Sequence, residues 1–175
     1  HRGLLHKGNG SWLTLKGTEP YGRRPNMFDT SMRVPTIVRW PGILKPGTKV
    51  DTTITNLDWY PTLLAMANVP PEKDAVIHGR NFYPLLTSTN GEIPWDNEFY
   101  GQYGMHHYEK ADMHVYRTPE WKLLRDFLRP GKDELYHLAT DPDERNNLID
   151  DPAHAEIQAT LDKKLAARMA TIQPQ

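Results

Sequence analysis

The sequence predicts an α/β protein in which one core strand and one helix precede a small antiparallel sheet with a terminal helix. The strand prediction rests on the apolar run VPTIVRW at residues 34–40, which Pro41-Gly42 ends. Apolar residues recur every three or four positions after residue 58 and again after residue 156, which is the helical period. From residue 97, short aromatic and β-branched runs alternate with turns, as antiparallel strands do.

The predicted strand needs partners that the preceding residues do not offer. Residues 1–26 are rich in glycine, basic and aromatic residues without a regular period, and we interpret them as a long loop. A lone strand is not stable, so we expect residues 34–40 to belong to a larger sheet. The chain also begins with His1 and shows no signal peptide. Both features favour a piece of a longer protein.

The first helix is predicted to begin near residue 56. Asn56 or Asp58 can cap it, and Pro61 lies in its first turn, where a missing N–H costs nothing. A short helical turn is expected within GRNFYPLL at residues 79–86. Residues 1–95 therefore form the first predicted domain. The helix's apolar stripe consists of Tyr60, Leu63, Leu64 and Ala67.

The second predicted domain, residues 96–175, contains three or four antiparallel strands and a helix. The segments TPEW at 118–121 and RPGKDE at 129–134 are expected hairpin turns. Asp151 is the predicted cap of the last helix, with Pro152 in its first position. The apolar face of that helix is formed by Ile157, Leu161, Leu165, Met169 and Ile172.

Composition excludes several classes of function. The formal net charge is −1, so no overall field favours nucleic acid or an acidic membrane surface. No apolar run approaches the roughly 20 residues of a membrane span. The 175-residue chain has no cysteine, which excludes disulfides, thiolate metal sites and a cysteine nucleophile. We therefore expect neither a nucleic-acid nor a membrane partner.

Several blocks of the sequence resemble one known family. FDTSMRVPTIVRWPG at residues 28–42, a K-x-G turn, and NLDWYPTLL at residues 56–64 occur in the order typical of the sulfatase family, part of the alkaline-phosphatase-like superfamily. GRNFYPLL, YRTPEWKLL and ELYHLATDPDERNNL resemble that family's C-terminal subdomain. The resemblance runs from about residue 1 to about residue 150. Its matching residues are Phe28, Asp29, Ser31, Arg33, Val34, Pro35, Pro41, Gly42, Asn56, Asp58, Pro61, Thr62, Leu63 and Leu64.

The resemblance implies the C-terminal part of a sulfatase fold and of a sulfate-ester hydrolase. The family's nucleophile is a formylglycine made within a C/S-x-P-x-R motif, and its calcium ligands include a DHG-type motif; neither motif occurs in this sequence. We therefore expect the formylglycine and most calcium ligands upstream, with the remainder of the sulfatase chain as partner and the 175 residues inactive alone. A sulfated small molecule or carbohydrate is the implied substrate. The compartment is left open, although many relatives are exported.

Two other functions remain as alternatives. A related hydrolase of phosphonate or phosphate monoesters would share the strand and helix motifs. A non-catalytic binding or interaction remnant would lack the nucleophile altogether.

Lys7 is the predicted catalytic residue. Within RGLLHKGN it matches the lysine that sulfatases place against the sulfate oxygens, where a fixed cation stabilises the charge that builds on the sulfuryl group. The ordinary alternative is one of 21 basic residues on a solvated loop. Arg24 is the second candidate, since some relatives carry the basic residue nearer NMFDTS.

Histidines supply the remaining candidates. His106 and His107 in GMHHY are predicted substrate contacts, and a histidine can also protonate a leaving group. Two exposed loop histidines are an equally good interpretation, and the same holds for His1 and His6. No His, Asp or Glu cluster has the spacing of a complete metal site. Arg33 is expected to pair with Asp29 or an upstream carboxylate.

Overall fold

The computed structural model describes residues 25–88, 93–106 and 110–172. These residues fall into two compact units. One comprises residues 25–35 and 100–172, and the other residues 36–99. The helices are α1 Asp29–Met32, α2 Trp59–Met66, α3 Tyr83–Thr87 and α4 Ala155–Ile172, with 3₁₀-helices at Asn56–Asp58 and Pro152–His154. The strands are β1 Phe99–His106, β2 Lys110–Arg117, β3 Trp121–Asp126 and β4 Glu134–His137.

The larger unit is built on a four-stranded sheet in the order β1-β2-β3-β4. The pairs β2/β3 and β3/β4 are antiparallel, with Val115 opposite Leu124 and Leu123 opposite Leu135. Helix α4 packs on one face of the sheet. The core there consists of Tyr116, Leu123, Leu135, Leu161 and Leu165. The predicted α/β class, with a small antiparallel sheet and a terminal helix, is confirmed.

Helix α4 begins as the sequence predicts. The Asp151 carboxylate accepts a hydrogen bond from the Ala153 backbone N–H at 2.9 Å, and Pro152 occupies the first position of the 3₁₀ turn that leads into the helix. Further along, Arg125 on β3 donates from Nε to Asp162 at 2.8 Å and from Nη1 to Asp133 at 2.7 Å. These charge-assisted bonds tie the helix and the β3–β4 turn to the strand.

The smaller unit contains the predicted first helix, but its buried face differs from the prediction. Tyr60 and Leu63, taken as part of the core stripe, are 52% and 53% exposed. The buried residues are Asp58 and Thr62, which accept hydrogen bonds from the Arg80 and Phe82 backbone N–H groups at 2.7 and 2.9 Å. These polar side chains bind the segment 80–82, and Tyr60 and Leu63 of the predicted apolar stripe face away from it.

Residues 34–40 are the segment predicted as a core strand. They form no strand among the described residues, and Val34 and Ile37 are 74% and 92% exposed. A strand is stabilised by hydrogen bonds to a neighbour, and the described part of the chain supplies none here. The assignment of residues 34–40 to a strand of a larger sheet stays a prediction.

The predicted division into domains 1–95 and 96–175 stays a prediction. Within the described ranges, no helix combines the length and apolar character that crossing a bilayer requires.

Candidate functional site

The structure describes one of the four predicted site residues. His106 is the last residue of β1 and is exposed. A Cβ added at Gly104 would lie 3.9 Å from His106 Nε2, which is an ordinary van der Waals distance. Lys7, Arg24 and His107 lie outside the described residues, as do His1 and His6. The catalytic and substrate-binding assignments therefore stay predictions.

Four charged side chains form a buried charge cluster in the larger unit: Asp29, Arg117, Lys122 and Glu144. The Lys122 ammonium lies 2.6 Å from Glu144 Oε1 and 3.2 Å from Asp29 Oδ1, and it donates to the Met27 carbonyl at 2.5 Å. Arg117 Nε donates to Asp29 Oδ2 at 3.0 Å. Glu144 Oε2 in turn accepts from the Asp29 backbone N–H at 2.7 Å. Two cations and two carboxylates balance in charge.

The fold brings these residues together from distant parts of the chain. Lys122 is the second residue of β3, and its neighbours Trp121 and Leu123 pack in the core under α4. Because successive side chains of a strand alternate between faces, Lys122 lies on the face opposite that helix. Glu144 reaches it from the loop after β4, with a positive φ of 54°. The cluster thereby fastens residues 27–29 to the sheet, immediately after the segment that carries the predicted Arg24.

Burial and charge oppose each other at Asp29. Burial alone would raise the pKa of this carboxyl, but the Lys122 ammonium and the Arg117 guanidinium outweigh it and hold the pKa below its ordinary value. The carboxyl group of Asp29 is therefore ionised in the folded protein at neutral pH. The predicted pairing of Arg33 with Asp29 is wrong: Arg33 is exposed, and Arg117 and Lys122 take its place.

The depressed pKa of Asp29 predicts a loss of stability in acid. A carboxyl with a folded pKa below its unfolded value, about 3.9, stabilises the fold above that value. The contribution is lost as the pH falls through the folded pKa, because the unfolded state binds the proton first. In urea unfolding followed from about pH 5 down to about pH 2, the Asp29→Asn variant should show a shallower fall in unfolding free energy than the parent.

Asp143→Asn is the matched control for that experiment. Asp143 is 46% exposed and pairs with Arg145 at the surface, so its replacement should leave the parent's pH profile intact. If Asp29→Asn and Asp143→Asn give the same profile, the cluster does not carry the acid dependence. Asp126, whose pKa is also lowered by Arg129 and by backbone N–H groups against the effect of burial, contributes in the same direction and remains in both variants.

A second polar group lines a cavity on the α4 side of the sheet. Tyr100 Oη lies 2.7 Å from His114 Nδ1, and His114 Nε2 lies 3.2 Å from Asp112 Oδ1. These residues line a cavity of about 270 Å³ together with Gln102, Phe127, Met169 and Ile172, which we call the His114 cavity. The sequence motifs pointed to none of the polar residues of this cavity. The only signal was the alternation of polar residues at 112 and 114 within β2.

The described residues do not fit a calcium site. No group of three or more His, Asp or Glu side chains able to hold a metal ion occurs among residues 25–88, 93–106 and 110–172. The acidic run at 141–145 is used otherwise, since Glu144 is buried against Lys122 and Asp141 Oδ2 accepts from the Arg145 backbone N–H at 2.7 Å. The acidic run therefore acts as a structural connector between β4 and α4.

The chain is similar in sequence and structure to several known sulfatases. Rat steryl-sulfatase is 28% identical over 87% of this chain and 31% of its own length. The N-acetylglucosamine-6-O-sulfatase of Bacteroides thetaiotaomicron is 30% identical over 77% of this chain and 24% of its own. A protein solved in complex with its substrate D-glucosamine-2-N,6-O-disulfate has a TM-score of 0.73 at 28% identity, over 83% of this chain and 30% of its own.

The chain thus spans less than a third of the length of these relatives. The described fold, with its four-stranded antiparallel sheet and terminal helix, is similar to the solved structure that holds the disulfated sugar. The family model described as N-sulphoglucosamine sulphohydrolase, C-terminal, matches residues 20–171. Since that match covers most of the 175 residues, the chain belongs to this family of sulfatase C-terminal domains.

Proposed function

We propose that the chain is the C-terminal part of an enzyme that hydrolyses sulfate esters. The observation that carries the proposal is the family match over residues 20–171, together with relatives that are sulfatases. The chain spans less than a third of those relatives, so the nucleophilic formylglycine and the calcium belong to the rest of a longer protein in this proposal. The 175 residues alone are then inactive.

Lys7 is the residue that we propose touches the reacting group. Its ammonium would stabilise negative charge on the sulfuryl oxygens as the ester bond to sulfur breaks. Arg24, His106 and His107 are proposed to bind other parts of the substrate. Among the described residues, the buried charge cluster binds residues 27–29 to the sheet.

The smaller unit supports a longer protein in a different way. Six of its large apolar side chains are more than half exposed: Ile37, Ile43, Leu57, Tyr60, Leu63 and Val76. An apolar surface of this extent is unusual on a free domain and typical of one that packs against further protein. We propose that the remainder of the sulfatase covers it.

A sulfated carbohydrate is the substrate class that we favour. The Bacteroides relative is named for a sulfated amino sugar, and the solved relative at 28% identity holds D-glucosamine-2-N,6-O-disulfate as its substrate. Steryl and aryl sulfates are the contrasting sulfate esters, since rat steryl-sulfatase covers as much of the chain. Phosphonate and phosphate monoesters remain the second reaction class.

The test assays the 175-residue chain alone and joined to the polypeptide that its gene encodes upstream. We expect sulfate release from glucosamine 6-sulfate only by the longer protein. In that protein Lys7→Ala should lower kcat by about 100-fold, the usual effect of removing one transition-state stabiliser. Lys132→Ala, which removes an exposed lysine from the β3–β4 turn, is the matched control and should leave kcat unchanged.

Three results would contradict the proposal. Turnover by the 175 residues alone would refute their inactivity. Faster hydrolysis of a phosphonate monoester than of any sulfate ester would favour the related hydrolase. A reading frame that starts immediately before His1 would leave only the non-catalytic interaction module.

A further inference from the structure

The His114 cavity lies on the α4 side of the sheet, opposite the face that carries the buried charge cluster. Residues 112 and 114 of β2 share the face of Tyr116, which packs in the core under α4, whereas Lys122 lies on the other face. The walls of the His114 cavity come from β1, β2, the residue after β3 and the last turns of α4.

The hydrogen-bond chain in the cavity does not form a nucleophile. Burial and the negative charge of Asp112 raise the pKa of Tyr100, so its hydroxyl stays protonated. The hydroxyl can donate to His114 Nδ1 while His114 Nε2–H donates to Asp112. The His114 side chain is only 5% exposed and is held between these two partners. This arrangement presents fixed polar atoms to a ligand but activates none of them.

The polar wall of the cavity mainly accepts hydrogen bonds. Asp112 is 37% exposed, and its Oδ1 accepts hydrogen bonds from His114 and Gln102. In the described part of the chain, its Oδ2 is left for a ligand. The Tyr100 oxygen and the Gln102 carbonyl are further acceptors. No lysine or arginine lines the cavity among the described residues, and a sulfate or phosphate would face the Asp112 carboxylate without a counter-charge.

The opposite wall is apolar and aromatic. The Phe127 ring is 56% exposed and stands edge-on to His114, with centroids 5.1 Å apart and planes at 82°. Met169 and Ile172 of α4 continue this wall. An exposed, rigidly held ring offers a flat apolar face next to hydrogen-bond acceptors. The complementary ligand has hydroxyl or amino donors along one edge, an apolar C–H face, and the size of a single ring.

We propose that the His114 cavity binds one unsulfated sugar residue, such as glucosamine or N-acetylglucosamine. The donors of the sugar contact Asp112, Gln102 and Tyr100, and its C–H face lies on Phe127. The site is independent of the proposed function, because the ligand carries no ester to be cleaved.

Saturation-transfer NMR of the purified protein with glucosamine and N-acetylglucosamine tests the site. Phe127→Ala and Gln102→Ala should each weaken binding about tenfold, which corresponds to one interaction of about 1.4 kcal/mol. Leu128→Ala is the control, because Leu128 is 48% exposed beside Phe127 but does not line the cavity. Asp112→Asn should weaken the binding of glucosamine, which is cationic, more than the binding of N-acetylglucosamine.

Three outcomes would overturn the proposal whether or not the protein hydrolyses sulfate esters. The first is that neither sugar binds in the millimolar range to the folded parent. The second is that Phe127→Ala and Gln102→Ala, shown to be folded by their circular dichroism, bind the sugars as well as Leu128→Ala does. The third concerns glucosamine 6-sulfate. Glucosamine 6-sulfate should bind this cavity more weakly than glucosamine, and the reverse order would exclude an acceptor-lined site.

Discussion

Replacement of Lys122 by methionine is expected to lower the free energy of unfolding of the larger unit by about 3–5 kcal/mol. Methionine keeps most of the side-chain volume but removes the ammonium. Glu144 and Asp29, which are 1% and 6% exposed, then face each other without the cation that binds both of them. Breaking a buried ion pair costs more than the pair contributes, because the remaining charge cannot be solvated.

Urea unfolding monitored by far-UV circular dichroism measures this loss. Lys132→Met, an exposed lysine in the next turn, is the matched control and should change the unfolding free energy by less than about 0.5 kcal/mol. A second replacement, Glu144→Gln, should recover part of the loss in the Lys122→Met background, because it removes one unpaired charge. A loss below about 1 kcal/mol for Lys122→Met would contradict the cluster's role.

The fold of the C-terminal half could be predicted because its signals are local. Turn residues separate the strands at 118–121 and 129–134, and the cap and period of α4 lie within 22 residues of each other, from Asp151 to Ile172. Each of these features depends on neighbours in the sequence, so composition and spacing were sufficient. The resemblance to sulfatases also depended on short blocks, and the family match over residues 20–171 confirms it.

The buried charge cluster could not be predicted because its partners are remote. Asp29 and Lys122 are separated by 93 residues, and Asp29 and Glu144 by 115. A lysine between Trp121 and Leu123 of the strand WKLLRD was the available signal, since such a residue needs a buried partner. The sequence does not say which carboxylate supplies it, and the nearer Arg33 was wrongly assigned to Asp29.

The errors in the smaller unit have a different cause. An apolar stripe on a helix predicts that this face of the helix is buried, but it does not identify the part of the protein that covers it. Thr62 is fully buried and bound to the Phe82 N–H, while Leu63 on the next position is 53% exposed. The candidate site shares this difficulty: Lys7 follows from a motif, and its role depends on groups that the sequence does not contain.

The second large effect is expected at Gly79, whose replacement by alanine should destabilise the smaller unit by about 3 kcal/mol or more. A Cβ at Gly79 would lie 1.9 Å from the Leu57 carbonyl oxygen and 2.8 Å from the Asp58 backbone nitrogen. Both are backbone atoms of the 3₁₀-helix, so no side chain can turn aside to make room. The two segments must separate, which breaks the bond from the Arg80 N–H to Asp58.

Hydrogen exchange of the Arg80 and Phe82 amides measures this separation, because both N–H groups are bound only while the segment stays in place. Gly47→Ala separates crowding from backbone strain. Gly47 has a positive φ of 77° but open space around its Cβ position, so alanine there costs only the left-handed conformation, about 1–2 kcal/mol. If Gly79→Ala is no more harmful than Gly47→Ala, segments 56–58 and 79–82 are not in close contact. If it is much worse and exchange accelerates at both amides, the close approach of these two sulfatase-like blocks holds the unit together.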